Sequence, residues 1–274
     1  HQSYFELGDD SKPTFISGAP PDVYSDIGQS WGNPLYRWDE MERSGFDWWI
    51  ARLRRALEHA DLIRLDHFRG FAAYWAIPAD AEDARSGSWR PGPGPALFEK
   101  LLESLGSLPL IAEDLGTIDE PVRDLQRRFA LPGMLVQQFA YDGQVDNDHL
   151  SYRASPNTVI YTGTHDSDTT MGWWTSAQEY VRDHARRYLS TDGRDIVWDL
   201  IRSAFQSPAR LALIPYQDFL ALGSDARMNT PGTLVGNWSW RMTHAPGAHR
   251  EVRERIRTMI TLYGRSGREG IENF

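Results

Sequence analysis

The fold of this chain is decided by the stretch Ala60-Asp61-Leu62-Ile63-Arg64-Leu65-Asp66-His67-Phe68-Arg69-Gly70. Its apolar run, interrupted by Arg64, predicts a short buried strand that ends at Asp66, before the turn-forming Gly70. Because side chains alternate between the two faces of a strand, Arg64 and Asp66 point the same way. The cation beside the carboxylate favours its ionised form. Asp66 is therefore either a candidate nucleophile or half of a structural ion pair, and on this stretch alone the ion pair is preferred.

Two later stretches repeat the pattern of an apolar strand that ends at an acid. They are Leu108-Pro109-Leu110-Ile111-Ala112-Glu113-Asp114-Leu115-Gly116 and Asn157-Thr158-Val159-Ile160-Tyr161-Thr162-Gly163-Thr164-His165-Asp166. Three such units are hard to attribute to chance. Their acids, Asp66, Glu113 and Asp166, are separated by 47 and 53 residues, which leaves room for a helical crossover between parallel strands. The repeated pattern predicts an α/β protein with three acids at strand ends.

Composition limits the classes of function that this chain can have. With 274 residues and 41% hydrophobic residues, it can bury the core of one large domain, as α/β barrels do. A net charge of −9 argues against a nucleic-acid or anionic-membrane partner. The lack of cysteine excludes disulfides and thiol catalysis, and is typical of a reducing compartment. With no long apolar run and no leader pattern, we expect a cytoplasmic protein with no membrane partner.

No group of His, Asp and Glu residues in the sequence has the spacing of a metal site. We interpret His67 as a neighbour of Asp66 rather than as a ligand, and we expect no metal and no cofactor. The sequence leaves the oligomeric state open.

Patterns along the chain predict further strands, helices and loops. Apolar runs predict strands at 62–66, 108–113, 134–139, 157–162 and 211–216, and helical patterns lie at 45–59, 97–105, 120–129, 176–206 and 247–264. Residues 1–40 and 85–95 are rich in turn-forming residues, and we predict loops for both. Aromatic residues argue against disorder in the first loop. Whether this loop packs on the core or covers a substrate stays open.

A closed (β/α)8 TIM barrel needs eight parallel strands, and the sequence supplies five. Residues 1–60 hold no convincing buried run for the other three. We therefore expect residues 1–274 to form a single catalytic barrel domain with about the C-terminal five βα units. Because the first residue is His1 rather than Met, we expect this barrel to be N-terminally incomplete.

The three acid motifs closely resemble those of the 4-α-glucanotransferases, also called amylomaltases or disproportionating enzymes, within the α-amylase clan. Asp66 stands in Arg-Leu-Asp-His-Phe-Arg-Gly, Glu113 in Ile-Ala-Glu-Asp-Leu-Gly, and Asp166 in Gly-Thr-His-Asp-Ser-Asp-Thr. The likeness covers nearly the whole chain. It extends to Gly18-Ala19-Pro20-Pro21-Asp22, Gly28-Gln29-Ser30-Trp31-Gly32-Asn33-Pro34-Leu35-Tyr36, Gln137-Gln138-Phe139-Ala140, Met228-Asn229-Thr230-Pro231-Gly232-Thr233 and Gly236-Asn237-Trp238-Ser239-Trp240-Arg241.

The resemblance implies a role for each acid in a retaining transfer of α-1,4-glucan segments between maltooligosaccharides or amylose. Asp66 is the nucleophile, Glu113 the general acid/base and Asp166 the stabiliser of the transition state. Retaining chemistry needs one ionised and one protonated carboxyl about 5–5.5 Å apart. The apolar neighbours of Glu113, together with Asp114, are expected to raise its pKa.

The resemblance also implies glucan-binding residues, with residues 1–40 as the acceptor-side loop region. These residues are Arg64, His165, Pro20, Asp22, Tyr24, Gln29, Trp31, Asn33 and Asn237.

Two other functions remain open from the sequence. An α-amylase-like hydrolase would use the same carboxylates, and the long loop at 18–36 favours transfer because it excludes water. An inactive fragment that only binds glucan is the third hypothesis, because missing strands leave sheet edges unpaired. Trp173 and Trp174 are open between core packing and a sugar platform.

Overall fold

A computed structural model describes residues 1–22, 25–243, 245 and 249–266 of this chain. The chain divides into two compact units, His1–Pro132 (unit 1) and the residues from Gly133 onward (unit 2). Tyr24 and Gly247, which belong to the predicted loop and the predicted last helix, lie outside the described residues. In the described part of the chain, no helix is both long enough and apolar enough to cross a membrane.

Among its described residues, unit 1 contains an antiparallel sheet, a parallel strand pair and five α-helices. The antiparallel sheet has the order β2-β1-β4-β5, and β3 pairs with β6 in parallel. The strands are β1 (Phe15–Ala19), β2 (Gln29–Pro34), β3 (Ile63–Leu65), β4 (Ala73–Pro78), β5 (Ser88–Pro91) and β6 (Leu110–Ala112). The helices are α1 (Trp38–Arg43), α2 (Asp47–Leu57), α3 (Arg69–Ala72), α4 (Gly94–Leu105) and α5 (Glu120–Arg128).

Helix α2 illustrates how the pattern of the sequence produces the core of unit 1. Trp49, Ile50 and Leu53 recur at helical spacing and are buried, whereas Arg52 and Arg55 on the other side are exposed. The apolar side packs into a cluster with residues of α4, α5, β3 and β6. This cluster holds the two strands in place, and both strands end at the predicted acids. The predicted helices at 45–59, 97–105 and 120–129 are confirmed by α2, α4 and α5.

The antiparallel sheet corrects the prediction of loops at 1–40 and 85–95. Strands β1 and β2 lie in the first of these segments and β5 in the second. Periodicity gave no signal because β2 is exposed along most of its length, so its residues do not alternate between apolar and polar. Glycine is required in β1, since a Cβ on Gly18 would lie 2.0 Å from the carbonyl oxygen of Gln29.

Unit 2 is built on a parallel sheet of order β7-β8-β9. Its strands are β7 (Gly133–Val136), β8 (Thr158–Tyr161) and β9 (Leu211–Leu213). Its helices are α6 (Thr170–Ser176), α7 (Glu179–Leu189), α8 (Ile196–Gln206), α9 (Tyr216–Phe219) and α10 (Arg250–Leu262). The five predicted parallel strands are thus confirmed with shorter bounds, and residues 137–139 form a 3-10 turn instead of extending β7. Among the described residues, these strands form a pair and a triplet rather than a closed barrel.

The core of unit 2 lies around α8, which is buried along most of its length. Trp173 and Trp174 pack against this core, as do Ile256 and Ile260 of the predicted last helix. Leu262, at the last position of α10, is 67% exposed and does not join this core.

Candidate active site

The register of β3 and β6 brings two of the predicted acids to one sheet edge. Leu65 pairs with Ala112, so the next residues, Asp66 and Glu113, leave the two strands at the same level. The backbone confirms this, since the N–H of Glu113 donates to the carbonyl of Leu65 at 3.0 Å. Carboxyl ends of parallel strands are where α/β enzymes carry their reactive groups.

Asp66 is exposed, and an arginine fixes its direction. The Arg64 Nη1 donates to Asp66 Oδ1 at 2.7 Å, which confirms that the two side chains share a face of the strand. The Asp66 side chain is 79% exposed, so a reactant can reach its second oxygen from solvent. The ion pair and a role as nucleophile are therefore compatible.

Glu113 is held more tightly than Asp66 and is partly buried. Its Oε2 accepts from the backbone N–H of His67 at 2.7 Å, and its Oε1 accepts from that of Leu115 at 3.0 Å. Burial raises the pKa of Glu113 and the Asp66 charge raises it further, while Arg64 and the two backbone donors oppose this rise. The predicted rise of the Glu113 pKa is confirmed, but the neighbouring acid that adds to it is Asp66 and not Asp114. The side chain of Asp114 instead accepts from Gln126.

His67 occupies a left-handed backbone conformation, with φ of 47°. This conformation aims its N–H at Glu113, and such strain in a residue other than glycine is typical of functional sites. Burial lowers the pKa of the imidazole to about 4, so it is neutral at pH 7. Trp31 of β2 packs edge-on against this ring, with centroids 4.8 Å apart.

The other residues predicted on the first loop lie on or beside the β1–β2 hairpin. Gln29 accepts from the indole N–H of Trp31 at 3.1 Å, and Asn33 is exposed on β2. Pro20 follows the end of β1, and Asp22 closes a turn by accepting from the backbone N–H of Ser25 at 3.0 Å. Of this group, Trp31 is the residue with a described contact to the turn beside the acids.

Unit 2 presents His165 and Asp166 on the loop at 163–169, between β8 and α6. Asp166 Oδ1 accepts from Asn229 Nδ2 at 2.5 Å, and its Oδ2 lies 3.2 Å from Nε2 of His165. The carbonyl of Asp166 accepts from Arg227 Nη2 at 2.8 Å. These contacts orient the side chain of the third acid and supply a donor to its carbonyl.

Asn237 supports its own loop, and its neighbour Trp238 faces the acid loop. The Asn237 carboxamide accepts from the backbone N–H of Thr230 at 2.9 Å and donates to the carbonyl of Thr233 at 3.0 Å. Trp238 is 52% exposed, and its ring centroid lies 5.4 Å from that of His165. A role of Asn237 in glucan binding stays a prediction.

Sequence reasoning gave no role to several residues that hold the acids within each unit. Asn229, Arg227 and Trp238 stand in or beside motifs that carry the resemblance, which was the available signal. His67 was recognised as a neighbour of Asp66 but not as a backbone donor. Among the described residues, no group of three or more His, Asp or Glu side chains is arranged to hold a metal.

The ends of β3 and β6 carry a partly buried carboxyl, whose pKa burial raises, and an exposed carboxylate. Reactive groups at the carboxyl ends of parallel strands are typical of the α/β class of enzymes. The chain belongs to the 4-alpha-glucanotransferase family, whose model matches residues 1–246. The resemblance inferred from the motifs is thus confirmed.

Curated relatives and a solved structure support this membership. A 4-alpha-glucanotransferase of Arabidopsis thaliana, described as chloroplastic/amyloplastic, is 46% identical over 268 residues, which are 97% of this chain and 46% of the relative. The Thermus thermophilus 4-alpha-glucanotransferase is 49% identical over 250 residues, 88% of this chain and 50% of the relative. The solved structure of the amylomaltase from Streptococcus agalactiae in complex with acarbose is similar to this chain, with a TM-score of 0.91 and 37% sequence identity. The match covers 95% of this chain and 53% of the amylomaltase chain. The chain spans about half the length of the curated relatives it matches.

Proposed function

We propose that the whole protein transfers α-1,4-glucan segments between maltooligosaccharides or amylose by a retaining double displacement. The observation that carries this proposal is the acid pair at the ends of β3 and β6, in which burial raises the pKa of Glu113 while Asp66 stays exposed. Family membership supports the choice of substrate, since the curated relatives are named 4-alpha-glucanotransferases.

In the first displacement, Asp66 attacks the anomeric carbon while Glu113 protonates the departing glycosidic oxygen. Its raised pKa favours the protonated form that this step requires. In the second displacement, the same residue acts as base and takes the proton of the acceptor's 4-hydroxyl, whose oxygen attacks the anomeric carbon as the bond to Asp66 breaks. Asp166, held by Asn229, accepts hydrogen bonds from sugar hydroxyls that strengthen as positive charge develops on the ring.

The remaining predicted residues are proposed to bind glucan around these acids. Arg64 orients Asp66, and His165 offers an imidazole nitrogen next to Asp166. Trp31 and Asn33 of β2 offer an aromatic ring and a carboxamide on the acceptor side. Pro20, Asp22, Tyr24, Gln29 and Asn237 complete the proposed set.

We also propose that the five parallel strands belong to a (β/α)8 barrel, with the catalytic acids on one end of it. The TM-score of 0.91 with the Streptococcus agalactiae amylomaltase supports this proposal, as do the parallel registers of both sheets. A cytoplasmic location stays a prediction, and the Arabidopsis thaliana relative is described as chloroplastic/amyloplastic.

The fate of maltotriose distinguishes transfer from the α-amylase-like hydrolysis that the same acids can perform. The whole protein is incubated with maltotriose, and products are separated by length while reducing ends are counted. Transfer yields glucose together with longer oligomers and leaves the number of reducing ends constant. A rise of reducing ends in step with substrate loss would assign hydrolysis instead. Binding of maltotriose without any turnover would support a region that only holds glucan.

A further inference from the structure

Asp218 is a buried acid to which the proposed mechanism gives no part. It lies in the short helix α9 and is 1% exposed. Its neighbours Thr162 and Thr170 are both 0% exposed. An ionised carboxylate is costly to bury unless hydrogen bonds satisfy it, so the donors around Asp218 indicate what it holds.

Three donors from two positions of the chain converge on this carboxylate. Oδ2 accepts from Thr162 Oγ1 at 2.5 Å and from Thr170 Oγ1 at 2.7 Å. Oδ1 accepts from the backbone N–H of Thr170 at 2.8 Å. A carboxylate is an acceptor at both oxygens, which suits these three donors.

The two donating residues are the two ends of the loop that carries Asp166. Thr162 follows the last residue of β8, and Thr170 is the first residue of α6. The seven residues between them include His165 and Asp166. One buried carboxylate therefore joins the points at which this loop leaves the sheet and enters the helix.

We propose that Asp218 is a positioning residue, which sets the place of Asp166 by clamping the base of the loop at 163–169. This inference rests on the role of Asp166 in the proposed function. Asp218 lies behind the loop and acts on the reaction through Thr162 and Thr170, not through substrate.

Other contacts hold the later half of the same loop but do not join its ends. Gln138 Nε2 donates to the carbonyl of Asp168 at 2.9 Å, and Ser224 Oγ donates to Asp168 Oδ2 at 2.7 Å. Without Asp218, the N–H of Thr170 and the hydroxyl of Thr162 lose their acceptor in a buried place, which costs free energy unless the loop moves. The loop then relaxes where it meets β8 and α6, and Asp166 moves with it.

Asp218→Asn is the variant that tests the clamp with little change in volume. The amide nitrogen can only donate, so the hydroxyls of Thr162 and Thr170 must turn to accept from it, and the charge-assisted hydrogen bonds of the carboxylate are lost. In the whole protein with maltotriose, we expect kcat to fall by about 10- to 100-fold, with KM changed by less than about threefold. We expect kcat to fall more than KM changes because a misplaced Asp166 stabilises the transition state less, whereas substrate binding in the ground state is little affected. The exposed Asp225, changed to Asn, is the matched control and retains wild-type kcat.

A second set of variants asks whether Asp218 acts through the two threonines. Thr162→Val and Thr170→Val remove the hydroxyl donors and keep the shape of each side chain. In the background of both changes, Asp218→Asn is expected to reduce kcat by less than about threefold, because residues of one network do not contribute additively. A full additional loss of kcat in that background would contradict the proposal.

Hydrogen exchange of the folded variants provides a readout that does not depend on turnover. Amides in the peptide covering residues 162–170 are expected to exchange at least about tenfold faster in Asp218→Asn, and at the wild-type rate in Asp225→Asn. Unchanged exchange in this peptide would overturn the clamp, and so would an unchanged kcat. If the wild-type protein shows no transfer at all, the proposed function fails, while the exchange comparison still decides whether Asp218 holds the loop.

Discussion

The backbone N–H of His67 donates a hydrogen bond of 2.7 Å to the Glu113 carboxylate. This bond joins the residue after the exposed Asp66 to the partly buried acid on the neighbouring strand. It depends on the left-handed backbone of His67, because an extended residue would turn its N–H elsewhere. The relative placement of the two acids is thus set by backbone geometry as well as by side chains.

The first prediction separates the backbone of His67 from its imidazole. His67→Asn and His67→Val both remove the ring, but asparagine tolerates positive φ and the β-branched valine does not. We expect His67→Val to unfold more easily than His67→Asn by about 1–2 kcal/mol in chemical denaturation. Its transfer activity should also be at least about tenfold lower than that of His67→Asn. Equal activity in the two variants would show that the backbone conformation does not matter.

The second prediction concerns the alkaline limb of the pH profile. The general acid must be protonated, so kcat/KM falls as pH rises through the pKa of Glu113, which burial holds above its usual value. Arg64 opposes this rise, and Arg64→Met should therefore move the limb to higher pH, whatever the loss in maximal rate. His67 does not produce this limb, because its pKa is about 4. Normalised profiles with maltotriose test this shift, and a limb that stays or moves to lower pH would refute it.

The third prediction is that Asp66→Asn removes transfer but not the fold. The change removes the proposed nucleophile, so activity should fall by about 10³-fold or more. Since the Asp66 side chain is 79% exposed, whereas that of Arg64 is 26% exposed, this ion pair is largely open to solvent on the carboxylate side, and the free energy of unfolding should change by less than about 1 kcal/mol. Asp61→Asn, an exposed acid of the same stretch, is the control and should retain activity. Retention of even a tenth of the activity in Asp66→Asn would exclude Asp66 as the nucleophile.

The fourth prediction concerns the choice between an acceptor sugar and water. Trp31 packs on His67 and is 39% exposed, so its ring covers the turn beside the acids. Trp31→Ala opens this side and should raise the share of hydrolysis in maltotriose turnover by several-fold, because water then reaches the glycosyl-enzyme. Trp31→Phe keeps an aromatic ring and should stay close to the wild-type ratio. An unchanged ratio of free glucose to longer oligomers in Trp31→Ala would contradict this role.

How much of the site the sequence predicts depends on whether local pattern or tertiary contact determines each residue. The strand before Asp66 is predictable because an apolar run, an acid and a glycine succeed one another within a few residues. The hairpin that carries Trp31 is not predictable in this way, because β2 is exposed and shows no apolar pattern. Gly18 is required by its close approach to Gln29, which exists only in the folded sheet.

Contacts made far along the chain account for the remaining omissions. Asp218 stands 48 residues after Thr170 and 56 after Thr162, so nothing near it in the sequence indicates a clamp on the Asp166 loop. The raised pKa of Glu113 was expected from its apolar neighbours, but the charge that adds to it comes from Asp66 on another strand. Assignment of three separate roles to the three acids came from the resemblance to the family.

The assignment of nucleophile and acid is tested by trapping the covalent intermediate in Glu113→Gln. Glutamine keeps the size of the side chain but neither gives nor takes a proton. The sugar that leaves an ordinary glucan needs this proton on its glycosidic oxygen, whereas the fluoride that leaves α-maltosyl fluoride does not. The variant should therefore be glycosylated and then stall, because the second displacement needs the same residue as base.

Intact mass and peptide mapping of Glu113→Gln after exposure to α-maltosyl fluoride give the decisive measurement. We expect one added maltosyl group on the peptide that contains Asp66, and no addition in the double variant with Asp66→Asn. Normal turnover of maltotriose by Glu113→Gln, or an adduct on any other peptide, would show that the two carboxyl groups do not have these roles.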